Sequence, residues 1–126
     1  MSRLVLFSLL ALAGCEREPE SLGIDQLTPS ELDYVRRYVV LERARAVGLA
    51  DPALGASLLD SLAAAWGDSA DVTARRALPT DPSRAAAVQD LVRRLLEAEA
   101  DSLVFAPSPR RLAAPLPAPV PPGKPG

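Results

Sequence analysis

Three times along this chain a capping side chain stands directly before a proline: Thr28-Pro29, Asp51-Pro52 and Asp81-Pro82. Proline suits the first helical position, where no N–H is needed and its fixed φ is already helical. The Thr or Asp before it offers an oxygen to the free N–H groups of the first turn. Each pair therefore marks a helix start, and Glu31, three residues after Thr28, completes a capping box. The first pattern runs to Val47 with Gly48 placed as its C-cap, and the second through about Trp66 with a stop at Gly67. A short helix is expected from Ser69 to Ala77, because Pro79 disfavours helical geometry at Leu78. The longest runs from Pro82 to about Phe105, before Pro107. No strand-like alternation occurs anywhere. The expected fold is all-α, a small three- to four-helix bundle over residues 28–105.

On a helical wheel the first helix gathers Leu32, Tyr34, Val35, Tyr38, Val39, Leu41 and Ala46 on one face. The second gathers Leu54, Leu58, Leu59, Leu62, Ala65 and Trp66, and the last Ala85, Val88, Leu91, Val92, Leu95, Leu96 and Leu103. Each stripe is wide enough to be a core face, the alternative being that one is a docking surface. Two acids interrupt the stripes: Glu42 in the first helix and Glu99 in the last. A lone buried carboxylate is costly, so each needs a partner or a route to solvent. Arg45 lies three residues from Glu42, while Arg75, Arg76 and Arg84 lie near helix ends from which they can reach inward. Two readings follow. Either Glu42 pairs with arginine at the rim and Glu99 emerges past the bundle's end, or both line one cleft with Tyr34, Tyr38 and Trp66 and bind a ligand.

The available chemistry is narrow. The chain has no histidine, one cysteine (Cys15) and one lysine (Lys124), which excludes a histidine base, a His or Cys zinc site and a disulfide framework. No nucleophile elbow, phosphate loop or dinucleotide fingerprint is present, and Asp68-Ser69-Ala70-Asp71 lacks the remaining ligands of a calcium loop. Only a two-carboxylate glycosidase, from Glu42 and Glu99 for example, can be assembled, and a small bundle offers it little cleft. The expectation is a non-enzymatic protein with no cofactor and no metal. Nucleic acid is an unsuitable partner, because residues 15–105 carry 10 basic and 16 acidic side chains, a net −6.

The chain opens with a cation, Arg3, then the apolar run Leu4–Leu12, then Leu12-Ala13-Gly14-Cys15. Nine helical residues cover about 14 Å, too little for roughly 30 Å of hydrocarbon, so the run reads as a signal h-region. The last four residues resemble the lipobox of bacterial lipoproteins, the alternative being an ordinary secretory signal with an incidental cysteine. The resemblance implies cleavage before Cys15, a diacylglyceryl thioether on its thiol and an acylated amine. Three acyl chains would anchor the remaining 112 residues to a bilayer almost permanently. Glu16 in place of Asp leans toward an outer rather than an inner membrane.

Residues 15–27 are acidic without apolar periodicity and read as a tether of up to about 40 Å. Residues 106–126 hold eight prolines, Arg110, Arg111 and Lys124, and no acid. They read as a disordered, solubilising tail, or as a basic polyproline rod touching peptidoglycan or another anionic partner. Leu59-Asp60-Ser61-Leu62, Gly67, the short helix, Asp81-Pro82 and the long last helix are similar to a family of small helical bacterial lipoproteins with a domain of unknown function. That resemblance covers residues 28–104 and carries no functional residues with it. The expected role is an accessory or interaction subunit in the cell envelope, with an envelope protein as partner, and a small-ligand or wall-glycan binder as the alternative.

Overall fold

The computed structural model describes residues 21–67 and 79–122, and all regular structure among them is helical. The helices are α1 (Pro29–Ala50), α2 (Pro52–Trp66), α3 (Pro82–Ala98) and α4 (Ala100–Phe105), with short 3-10 turns at Ile24–Gln26 and Pro109–Ala113. The signal segment, Cys15, the helix expected over 69–77 and Lys124 lie outside the described residues.

The three starts form as their sequence demands. Thr28 Oγ1 accepts from the Glu31 N–H at 3.2 Å, and Glu31 Oε1 accepts from the Thr28 N–H at 2.9 Å. Asp51 and Asp81 accept from the N–H groups of Leu54 and Arg84 at 3.2 and 2.8 Å. Gly67 ends α2 with φ 73°, a left-handed stop that glycine adopts without penalty.

Two ends differ from expectation. Gly48 does not cap α1, which continues to Ala50. Its missing side chain serves close packing instead: a Cβ on Gly55 of α2 would stand 2.2 Å from the Gly48 Cα. Asp51 makes the turn alone, its N–H reaching the Val47 carbonyl at 2.8 Å while its side chain caps α2. The last helix breaks at Glu99, whose φ is −99° and ψ 0°. The Glu99 N–H is shared between the carbonyls of Leu95 and Leu96, both at 3.2 Å.

Helix α1 is the centre of the molecule, touching α2, α3, α4 and the turn at Pro109–Ala113. Gly48 meets Gly55 and Arg37 covers Trp66, so α2 runs back along α1. Ion pairs Glu31–Arg84 and Arg43–Glu99 join α1 to the two ends of the last helical stretch, so α3 runs with α1. Val35 and Val39 of α1 meet Val88, Leu91 and Leu95 of α3 in a core closed to water. The apolar α2 gives that core only half-buried Leu59, Leu62 and Trp66, and Gly55 is its one buried residue.

Both flanking segments belong to the bundle, which corrects the reading of residues 21–27 as free tether and of 106–122 as disordered tail. Leu22 is buried in the core, and Leu116 packs against the same cluster. The Arg94 Nη2 donates to the Leu22 carbonyl at 2.7 Å, and the Val120 N–H donates to the Arg94 carbonyl at 3.2 Å. Proline-rich chain has few N–H groups of its own, but its carbonyls are free to accept from buried side chains.

Candidate functional site

The residues singled out from sequence are scattered over the bundle, and Arg75 and Arg76 lie outside the described residues. Glu42 and Arg45 pair with each other on α1, one turn apart and partly exposed. Glu99 is buried, 5% exposed, and faces Arg43 rather than Arg45. Arg43 Nε and Nη2 donate to the two Glu99 oxygens at 3.0 and 2.5 Å. Its Nη1 and Nη2 also donate to the carbonyls of Ala114 at 2.8 Å and Pro115 at 3.0 Å. Glu99 therefore does not emerge past the end of the bundle. Sequence reasoning missed Arg43, although the spacing Val35, Val39, Arg43, Ala46 places it on the apolar stripe of α1.

Arg43 is one of three arginines that tie flanking chain to helices. Arg84 holds Glu31 through two hydrogen bonds of 2.7 Å and reaches the Gln26 carbonyl at 3.0 Å. Arg94 is 3% exposed and divides its donors between Asp90 and Leu22. The guanidinium suits this work because its planar fork holds a carboxylate with one edge and carbonyls with another. Burial pushes the Asp90 carboxyl up, and hydrogen bonds from Arg93 and Arg94 more than offset it. Glu42 and Glu99 hold different arginines, and neither helix-lined groove is bordered by both.

Open grooves flank α1, and two of them lie between helices. The larger, about 1010 Å³, lies between α2 and α4 over the second half of α1. Its walls are Pro52, Gly55, Ala56 and Leu59 on one side and Leu103, Val104 and Pro107 on the other, with Glu42 and Arg45 along the floor. The smaller, about 410 Å³, lies between α1 and α3 and is lined by Tyr34, Tyr38, Gln89, Val92, Arg93 and Leu96 among others. The two phenol rings stand 5.9 Å apart. Burial raises the Tyr34 phenol above its ordinary pKa, the neighbouring Tyr38 adds to the rise, and a hydrogen bond with Gln89 opposes it. Trp66 is not part of this groove; it lies under Arg37, whose guanidinium carbon is 5.0 Å from the ring centre.

No known family, curated protein or solved structure matches the chain. Among the described residues no cluster of three or more His, Cys, Asp or Glu could hold a metal ion. No helix there is long and apolar enough to cross a membrane.

Proposed function

We propose that the protein is a lipid-anchored bacterial envelope lipoprotein of non-enzymatic type, displaying a helical domain that binds another envelope protein. The observation that carries this reading is the order of Arg3, the apolar run Leu4–Leu12 and Leu12-Ala13-Gly14-Cys15. An interaction role draws support from the apolar groove between α2 and α4 and from the shallow burial of α2. A catalytic role finds little support, since Glu31 and Glu99 are each spent on an arginine and Glu42 pairs at the surface. Intact-mass analysis of protein extracted from native membranes tests the anchor. The expected product begins at an acylated Cys15; an unprocessed Met1 or a bare thiol overturns it. Crosslinking in the same membranes tests the partner, with a stoichiometric protein adduct expected.

The α1–α3 groove favours a second reading, a binder of small ligands or wall glycan. The Tyr34 and Tyr38 phenols and the Gln89 amide, with apolar Val92 and Leu96 in the same lining, suit a ring with hydroxyl groups. Titration with solubilised wall glycan, compared with Tyr38→Ala, tests it: saturable binding lost in the variant supports this reading.

A further inference from the structure

Among the described residues, the large apolar side chains that stand exposed lie at one end of the bundle. Where α1 hands over to α2 and where α4 finishes, Leu49 is 90% exposed, Phe105 82%, Val104 69% and Leu54 37%. Leu49 and Val104 border the same groove, Phe105 follows Val104 directly, and Leu54 lies one turn into α2 from the same α1–α2 turn. Covering side chains of this size removes apolar surface from water, and a group of them at one end marks an interaction surface.

The chain before the described residues says what covers it. Leu22 is fixed in the core by Arg94, and Cys15 lies seven residues earlier. Seven extended residues span at most about 25 Å. Along the helix axes the exposed end lies about 15–20 Å from Leu22, from the rise between Arg94 and Glu99 and then between Arg43 and Leu49. An anchor at Cys15 therefore brings a bilayer within reach of this end. The opposite end presents Asp33, Asp81 and the Glu31–Arg84 pair with no exposed large apolar side chain among the described residues, whereas here the exposed Asp51 and Asp101 stand beside apolar ones. We infer that Leu49, Val104 and Phe105 are a second membrane contact, entering the interfacial layer and holding the domain with the α1–α2 turn toward the lipid. This rests on the anchored reading above. With Glu16, Glu18 and Glu20 on the tether, attraction is apolar rather than ionic, so a zwitterionic surface suffices.

Because Cys15 is the sole cysteine, the chain from Cys15 to Gly126 can be coupled through its thiol to maleimide-headgroup lipid in phosphatidylcholine vesicles. This sets the anchor chemically, so the result is independent of whether cells acylate Cys15, which intact mass decides. Phe105→Trp with Trp66→Phe places the only indole at the exposed end. Coupling is expected to shift its emission to shorter wavelength and to let brominated acyl chains quench it. Leu49→Ser with Val104→Ser should abolish both. Hydrogen exchange over residues 100–106 of the unsubstituted chain should slow on coupling, a measurement that needs no variant. Emission, quenching and exchange equal to those of the uncoupled chain overturn the proposal. So does protection that accompanies self-association in solution, which would assign this end to a second copy.

Discussion

Glu31 serves two partners with one carboxylate, capping α1 through the Thr28 N–H and holding Arg84 through both oxygens. Hydrogen bonds from Arg84 pull its carboxyl down most strongly; burial pushes it up and the Thr28 N–H lowers it further, from an ordinary 4.5 to about 2. An acid held below its unfolded value stabilises the fold above that value and loses the contribution as pH falls through its folded one. Stability from Glu31 is thus complete above about 4.5 and gone near about 2. With the Arg84 side chain 30% exposed, the contribution is on the order of 1–2 kcal/mol. Glu31→Gln should lose that much near neutral pH and converge with the parent in strong acid, as read by urea unfolding across the acid range. A constant difference at all pH would show that the charge plays no part. The anomaly of Glu99 was legible on a helical wheel, but its partner was not. Which arginine meets it depends on how far α3 is slid along α1, and no local pattern records that register.

The crossing of α1 and α2 is set by two glycines with unequal room. A Cβ at Gly55 would stand 2.2 Å from the Gly48 Cα, whereas one at Gly48 meets the Gly55 Cα at an ordinary 3.5 Å. Gly55→Ala should push the helices apart and destabilise by about 1–3 kcal/mol. Gly48→Ala should be neutral or gain up to about 1 kcal/mol from helix propensity. Thermal unfolding of the two variants decides, and equal losses would mean that the helices cross elsewhere. Helix starts were readable because a cap acts over three residues. Ends were harder: Gly48 has the composition of a stop but is a contact, and the break at Glu99 coincides with a bond to Arg43, 56 residues away.

The flanking segments close the bundle, and this was the least readable part of it. A proline-rich stretch without apolar period looks free, yet its seat is fixed by main-chain carbonyls, which every sequence possesses. Removing residues 106–126 takes two acceptors from Arg43 and Leu116 from the core. The expected loss is about 3 kcal/mol or more, a large share of what so small a bundle has. Denaturant unfolding and protease resistance of the truncated chain measure it; an unchanged midpoint would show the tail to be ornamental. Timing follows from the same strap. Synthesis delivers α1 early, while the carbonyls that complete Arg43 lie 71 and 72 residues downstream. Until that stretch is made, Arg43 has Glu99 as its partner but lacks both of these carbonyls. A chain stopped before Ala114 should therefore keep its helices and still yield sooner to protease, because a buried guanidinium is left short of acceptors.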